Sequence, residues 1–189
     1  MLAFALAYAT RNPAIIMGKT CSGRISVPLL LVNLPWLIIS WITLLLFTKF
    51  SREPAFDRIG SSRFYIGRYP FIQSTLAEFS LVIDLTAEFP RWHKSALSYV
   101  CVPNLDGVPL SNLRFPPLPE DGGKILIHCA QGHGRSATYA SLLLASVTRE
   151  ESPESVMEVI LRSRPAAHPN RKQREQIASA SGHSASARK

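Results

Sequence analysis

Residues 128–136, with the sequence HCAQGHGRS, place a cysteine and an arginine six positions apart in a short loop that contains glycine. The loop follows an apolar, strand-like run at residues 124–127 and precedes a run at residues 136–145 that can be helical. A strand, a tight loop and a helix N-terminus direct backbone N–H groups and the positive end of the helix at one point. The pattern predicts a site for a phosphate dianion, with Cys129 beneath it and Arg135 beside it.

Three side chains of this loop have expected chemical roles. The thiolate is the nucleophilic form of cysteine, and a helix N-terminus with a nearby cation favours that form at Cys129. Ser136 can donate a hydrogen bond to the sulfur. Arg135 can bind two phosphate oxygens at once, which a lysine cannot do.

The loop backbone completes the predicted site. Gly132 and Gly134 lack Cβ atoms where successive amides must turn inward and approach a ligand closely. His128 is expected to pack under the loop and orient it. His133 is either a substrate contact or a solvent-facing loop histidine. The predicted phosphate-binding residues are Ala130, Gln131, Gly132, His133, Gly134 and Arg135.

These residues suit a two-step displacement at phosphorus. Attack by Cys129 would form a phosphocysteine, which water then hydrolyses, and this is ordinary nucleophilic catalysis. Arg135 and the loop amides would stabilise charge on the equatorial oxygens. The alternative is an inert, buried cysteine in a strand–helix turn, but that interpretation leaves Arg135 and the two glycines unexplained.

The pattern Cys-x5-Arg-Ser after a histidine resembles the signature of the cysteine-dependent protein tyrosine phosphatases, and its Gly-His-Gly-Arg ending is similar to the dual-specificity branch. Further segments resemble that branch in the same order, and together they cover roughly residues 63–175. They are FYIGR at 64–68, VIDLT at 82–86, VPNLD at 102–106 and RP at 164–165. The resemblance implies a phosphatase that needs no cofactor and no metal.

The pattern of apolar runs predicts an α/β fold with a central, largely parallel sheet flanked by helices. Ligands of such sheets bind outside the carboxyl ends of the strands, where Cys129 lies. Strands are predicted at residues 64–67, 80–85, 98–102 and 124–127. Helices are predicted at residues 74–79, 92–97, 135–148, 153–164 and 170–180.

The resemblance also implies a general acid, an aspartate on a separate loop. Asp106 follows the strand at residues 98–102, so it is expected at the same sheet edge as Cys129. A simple turn aspartate before a glycine is the alternative. Glu120 and Asp121 precede the strand that leads to the cysteine, so they are expected at the opposite end.

The interval between Asp106 and Cys129 is short, because only 22 residues separate them. The resemblance implies a full helix there. Residues 111–115 offer about one turn, and three prolines follow at positions 116, 117 and 119. A missing helix would uncover one face of the sheet and affect the placement of Asp106.

Residues 25–47 form a run of 23 residues without a charge. A bilayer core needs about 20 apolar residues as a helix, so the run predicts one transmembrane helix, with a signal peptide or a buried core helix as alternatives. Residues 1–9 are also apolar but too short to span, and they stay unassigned. The predicted organisation is a membrane anchor at 1–50, a linker at 51–62, a phosphatase domain at 63–178 and a disordered basic tail at 179–189.

Charge and cysteine usage predict the location and partners of the chain. More basic residues follow the predicted span than precede it, which favours a single-pass protein with a cytoplasmic catalytic domain. Three cysteines far apart in sequence suggest no disulfide framework, in agreement with a reducing compartment. The net charge of +8 suits an anionic membrane surface and phosphorylated substrates. No motif supports nucleic acid as a partner.

The predicted function is hydrolysis of phosphotyrosine and phosphoserine/threonine in proteins. A phospholipid or phosphoinositide phosphatase is an alternative, since an anchor would hold the site near lipid headgroups. A non-catalytic, membrane-tethered phosphate-binding module is another, motivated by the short interval before Cys129. Arsenate reduction uses a similar loop but needs further redox cysteines, and neither Cys21 nor Cys101 is obviously placed to serve.

Overall fold

A five-stranded sheet forms the centre of the computed structural model, which describes residues 2–12, 18–71, 76–91, 98–148 and 151–186. The strands are β1 (Phe56–Arg58), β2 (Phe64–Gly67), β3 (Phe79–Thr86), β4 (Ser98–Asn104) and β5 (Lys124–His128). Their spatial order is β1-β2-β5-β3-β4. β1 is antiparallel to β2, and the other three pairs are parallel.

The predicted α/β fold with a largely parallel sheet is confirmed, and each of the four predicted strands is present. β1 is an addition, because it lies within the segment that the sequence predicts as a linker. Its three residues include Asp57 and Arg58, so it has no apolar run to indicate a strand. It forms the antiparallel edge of the sheet, with Phe56 opposite Gly67.

Helices precede and follow the sheet. They are α1 (Leu2–Thr10), α2 (Val27–Val32), α3 (Leu34–Phe50), α4 (Arg135–Thr148), α5 (Pro153–Ser163) and α6 (Arg171–Ser186). Ser152 caps α5, since its Oγ accepts the N–H of Ser155 at 3.2 Å. The helix predicted at residues 92–97 lies outside the described residues, and so do residues 74 and 75 of the helix predicted at 74–79. The prediction is wrong over the rest of that segment, because residues 76–78 form a turn and Phe79 begins β3.

α6 continues to Ser186, beyond residue 180, where the sequence predicts the helix to end. Residues 181–186 are mainly serine, glycine and histidine, so helix propensity does not explain this extension. Residues 187–189 lie outside the described part of the chain.

The core follows the two-residue alternation of the central strands. On β5, Ile125 and Ile127 pack on one side of the sheet while Leu126 packs on the other. Ile125 and Ile127 belong to the main apolar cluster, which also includes Tyr139 of α4 and Ile160 of α5. The three C-terminal helices therefore cover one face of the sheet and hold the end of β5 in place.

The transmembrane helix predicted over residues 25–47 is replaced by two helices, α2 and α3, with a break at Asn33. The N–H of Asn33 and its side-chain Nδ2 both donate to the carbonyl of Leu29, so Asn33 closes the last turn of α2. Pro35 has no N–H with which to continue the helical pattern across the break. Among the described residues, no helix combines the length and the apolar composition needed to cross a membrane.

The described residues before residue 51, which we call the N-terminal region, pack against the sheet and the loops at its edge. Leu37 and Leu44 of α3 are buried, and the Trp41 ring lies 5.0 Å from the Phe89 ring and 5.6 Å from the Tyr69 ring. α3 consequently lies over the carboxyl ends of the strands.

Candidate active site

Cys129 follows β5 directly, at the carboxyl end of the central strand, and its side chain is buried. Its Sγ accepts the N–H of Gly132 at 3.3 Å and lies 3.4 Å from the Oγ of Ser136. A hydroxyl and an amide N–H therefore lie within hydrogen-bond distance of the sulfur. The structure thus brings Cys129 and Ser136 together as the sequence predicts.

The loop after Cys129 is held by its carbonyl oxygens. Each of four successive carbonyls accepts a hydrogen bond from outside the loop. The acceptors and donors are Ala130 O with Tyr69 N (2.9 Å), Gln131 O with Arg164 Nη2 (3.3 Å), Gly132 O with Arg164 Nε (3.0 Å), and His133 O with His168 N (3.2 Å). The carbonyls consequently point away from the centre of the loop.

Outward carbonyls fix the direction of the amides. In a planar trans peptide, the C=O of one residue and the N–H of the next point in opposite directions. The N–H groups of residues 131–134 therefore face the inside of the loop, and the bond from Gly132 N–H to sulfur agrees with this. An inward ring of N–H groups is a cradle for phosphate oxygens.

Gly132 and Gly134 occupy the loop for different reasons. Gly132 has a φ of +79°, and a Cβ there would lie 2.4 Å from the carbonyl carbon of Gly67. Only glycine fits both that backbone conformation and that close approach. Gly134 has no such φ, and a Cβ there would mainly meet the end of the Gln173 side chain at 2.9 Å.

Arg135 begins α4 with its side chain buried and its guanidinium paired. Nη1 and Nη2 donate to the two carboxylate oxygens of Glu88 at 2.9 and 2.6 Å, and Nη1 also donates to the Asn104 carbonyl at 3.0 Å. Burial opposes the positive charge, but the carboxylates of Glu88 and Asp106 raise the pKa of Arg135 well above its usual value. The guanidinium is charged and fixed in orientation.

One donor of Arg135 remains available in this arrangement. Nε lies 3.1 Å from Oδ1 of Asp106, but its N–H finds no acceptor with hydrogen-bond geometry among the described residues. We regard this contact as an ion pair without a hydrogen bond, because distance alone does not satisfy a donor. A phosphate oxygen inside the loop is a suitable acceptor for it.

Asp106 follows β4 and lines the same cleft as Cys129, as the sequence predicts. Its side chain is 70% exposed, whereas Cys129 and Arg135 are buried. Its role as a general acid stays a prediction.

The interval between Asp106 and Cys129 contains no helix, in contrast to what the resemblance implies. Residues 105–123 form an irregular crossover that side chains hold in place. Gln176 bonds both the N–H and the carbonyl of Leu110 at 2.8 Å, and Asn104 bonds both backbone groups of Asn112 at 2.9 Å. These side chains replace the hydrogen bonds that a helix would have supplied.

His128 is buried beneath the loop, as the sequence predicts. Burial lowers the pKa of its imidazole, and Asp84, whose Oδ1 lies 3.9 Å from Nε2, opposes that shift. Asp84 is itself buried and paired with Lys19 at 2.7 Å. A chain of buried polar groups therefore leads from the N-terminal region to the residue before Cys129.

His133 is paired and only 20% exposed rather than solvent-facing, and its contact with substrate stays a prediction. Its Nε2 lies 2.7 Å from Oε2 of Glu53, and its ring packs edge-on against Phe47 of α3 at 5.5 Å. It lines the cleft at the same time. His133 thus connects the loop after Cys129 to α3 and the segment that follows it.

The cleft above the loop has a volume of about 400 Å³. One wall is polar and consists of the loop itself with Glu88 and Asp106. The other wall is largely apolar and comes from α3 with Tyr8 of α1. The lining residues of that wall are Tyr8, Trp36, Ile39, Ser40, Thr43 and Leu44. Partial burial raises the pKa of Tyr8, and the nearby Asp106 carboxylate adds to that shift.

Three residues that shape the site were missed by the sequence reasoning. Glu88 lies in the loop after β3, at the same edge of the sheet as Cys129. That position in the sequence could have indicated that Glu88 lies near the site. Arg164 was interpreted as the end of a helix and as part of a segment that resembles the family, without a role at the loop. Its buried guanidinium binds two loop carbonyls and forms ion pairs with Asp57 at 2.6 Å and Glu53 at 3.3 Å. Lys19 carried no signal, because its partner is distant in sequence.

No family model matches the sequence, and a search of curated proteins finds no similar sequence. Solved structures do match. A mouse putative dual specificity phosphatase complexed with zinc tungstate has a TM-score of 0.55 at 20% identity, over 70% of this chain and 90% of that one. Human DUSP28 has a TM-score of 0.54 at 18% identity, over 69% and 95%. PTPMT1 in complex with PI(5)P has a TM-score of 0.56 at 20% identity, over 72% and 100%.

These similarities show that the chain has the fold of the dual-specificity phosphatases. The identities are low, so activity and substrate require their own argument.

Proposed function

We propose that this protein is a cysteine-dependent phosphatase that hydrolyses phosphomonoesters through a phosphocysteine intermediate. The observation that carries the proposal is the position of Cys129 Sγ at the base of a loop whose amides face inward. The unbonded Nε–H of Arg135 and the hydroxyl of Ser136 complete the arrangement. Preorganised donors of this kind are usually the largest single contribution to catalysis of group transfer.

In the first step, the sulfur of Cys129 attacks phosphorus, an S–P bond forms and the P–O bond to the leaving group breaks. The loop amides and Arg135 hold the equatorial oxygens. The leaving oxygen takes a proton from the carboxyl group of Asp106, which lines the cleft beside Arg135.

In the second step, a water molecule attacks phosphorus while Asp106 removes its proton. The S–P bond breaks, inorganic phosphate leaves, and Ser136 stabilises the thiolate that is regenerated. Neither step needs a metal or a cofactor. A reducing compartment such as the cytoplasm would keep Cys129 in its active form.

Phosphorylated tyrosine, serine and threonine side chains in proteins are the first candidate substrates, supported by the similarity to dual-specificity phosphatases. Phospholipids are a second candidate, for two reasons. PTPMT1 was solved in complex with PI(5)P. In addition, α3 supplies an apolar wall to the cleft of this chain, which suits a substrate with an apolar part.

The test is hydrolysis of an aryl phosphate by the full chain and by three variants. Cys129→Ser should abolish turnover. Asp106→Asn should slow the reaction most with poor leaving groups, because these need the proton. Asp121→Asn is the matched control, since Asp121 precedes β5 at the opposite end of the strand, and it should leave turnover unchanged.

The alternative hypothesis is a phosphate-binding module without catalysis. A folded chain that binds phosphate or vanadate but does not turn over any aryl phosphate would support that hypothesis and contradict the proposed phosphatase function. If turnover is found, rates on phosphopeptides and on phosphoinositides distinguish the two substrate classes.

A further inference from the structure

The outer face of α3 is apolar and exposed. We define it by Ile38, Ile42, Leu45 and Leu46, each of which is about half exposed, at 50%, 51%, 51% and 50%. Their spacing places them on one side of the helix. α2 extends the same apolar character, since Leu31 and Val32 are exposed at 63% and 73%.

The opposite face of α3 already has its partner. Leu37 and Leu44 are buried there, and Trp41 packs against the aromatic side chains beside the catalytic loop. A helix that is apolar all round is expected to have an apolar environment on every side. The fold supplies that environment on one face only, and an exposed apolar patch of this kind marks an interaction site.

Charge around this face indicates what covers it. Residues 1–52 contain five basic residues and no acidic residue. Three exposed cations flank the two helices, with Arg24 before α2 and Lys49 and Arg52 at the end of α3. An apolar surface between basic residues is complementary to an anionic lipid surface, where acyl chains receive the apolar residues and headgroups receive the cations.

We propose that the outer face of α3, with α2, docks on an anionic lipid surface, with both helices lying along the surface. A second copy of the chain fits this face less well. It would bring the same cations to the same place, and like charges across an interface oppose association.

Docking in this manner has a consequence for the cleft. Trp36 and Ile39 are exposed on α3 and also line the cleft that contains Cys129. The mouth of the cleft therefore adjoins the docking face. Substrates held at the lipid surface could then reach the loop after Cys129 without leaving the lipid. This consequence rests on the proposed phosphatase function.

The experiment is co-sedimentation of the full chain with vesicles, using phosphatidylcholine alone and a mixture with phosphatidylglycerol. The double variant Ile38→Glu/Leu45→Glu changes the outer face and leaves the cleft lining intact. The matched control is Leu113→Glu/Val147→Glu, which adds the same charge at side chains that are 39% and 48% exposed elsewhere. Turnover of an aryl phosphate is measured for every protein.

We expect the wild-type chain and the control to bind the anionic vesicles more tightly than the neutral ones. The outer-face variant should bind at least about tenfold more weakly, because two apolar side chains no longer enter the lipid. Wild-type binding that is absent, or that the outer-face variant leaves unchanged, would overturn the proposal. So would a dimer that this variant dissociates in a chain that does not bind vesicles.

Aryl phosphate turnover separates this result from the proposed function. Vesicle binding without turnover contradicts the phosphatase and leaves docking in place. Turnover without vesicle binding contradicts docking alone.

Discussion

At the scale of single residues, the position of the buried Arg135 guanidinium depends on Glu88. The guanidinium is buried, and burying an unpaired charge is costly. Two parallel hydrogen bonds to one carboxylate compensate for that burial and also fix the plane of the guanidinium. Glu88 is therefore a positioning residue, which acts on a phosphate ligand through the arginine.

We predict that Glu88→Gln lowers the turnover of an aryl phosphate by roughly 10²-fold, a loss typical of a misplaced catalytic group. The amide can accept only one of the two hydrogen bonds and carries no charge. Steady-state kinetics should show most of the effect in kcat, with the chain still folded by circular dichroism.

Glu78→Gln is the control for this prediction. Glu78 forms an exposed ion pair with Lys124, and such pairs contribute little. Turnover should be unchanged in this variant. Wild-type kinetics in Glu88→Gln would mean that Arg135 does not need its carboxylate partner.

At the scale of elements, the segment before α2 is attached to the sheet by one buried ion pair. Lys19 Nζ donates to Asp84 Oδ2 at 2.7 Å and to the carbonyl and hydroxyl of Thr86 at 2.8 and 2.9 Å. Burial would raise the pKa of Asp84, but Lys19 and then His128 lower it below its usual range. The segment also bonds the edge strand, where Cys101 N–H donates to Cys21 O at 3.2 Å.

We predict that Lys19→Met lowers the free energy of unfolding by about 3–5 kcal/mol, because it leaves the Asp84 carboxylate buried without its counter-ion. The double variant Lys19→Met/Asp84→Asn should recover part of that loss. Urea unfolding of each variant measures it.

Lys124→Met removes a lysine from an exposed ion pair and serves as the control, with an expected change below about 1 kcal/mol. Equal effects of Lys19→Met and Lys124→Met would show that burial of the first pair has no energetic consequence.

At the scale of the whole molecule, the N-terminal region and the sheet share their buried surfaces. Lys19, Leu37 and Leu44 are buried against residues that the sequence assigns to a separate phosphatase domain. His133 and Glu53 connect the loop after Cys129 to the segment after α3. Residues 18–50 accordingly contribute both to stability and to the shape of the cleft.

A fragment that begins at residue 51 should be less stable than the full chain and should unfold at a lower temperature. It loses the Lys19–Asp84 pair and the apolar contacts of α3, and each lost contact of this kind lowers stability. Thermal unfolding followed by circular dichroism measures the difference.

A fragment that begins at residue 18 is the matched comparison, since it keeps Lys19, α2 and α3 and lacks residues 1–17, which include α1. It should unfold close to the full chain. An unchanged unfolding temperature in the shorter fragment would mean that the N-terminal region is attached without stabilising the sheet.

The sequence by itself determined the sheet strands around the site, the α/β class and the loop that contains Cys129. Such features are local, since apolar runs, glycines and the spacing from Cys129 to Arg135 lie within a few residues of one another. The sequence also predicted that Asp106 lies near Cys129, because the carboxyl ends of parallel strands meet at one edge of the sheet.

Only the tertiary structure decided the partners of these residues and the course of residues 25–47. Glu88 is 47 positions from Arg135, and Lys19 is 65 positions from Asp84, so neither pair leaves a local pattern. The apolar run predicted as one transmembrane helix is divided at Asn33, and one of its faces is buried on the protein itself. An apolar sequence specifies that a surface must be covered, whereas the packing of distant residues determines what covers it.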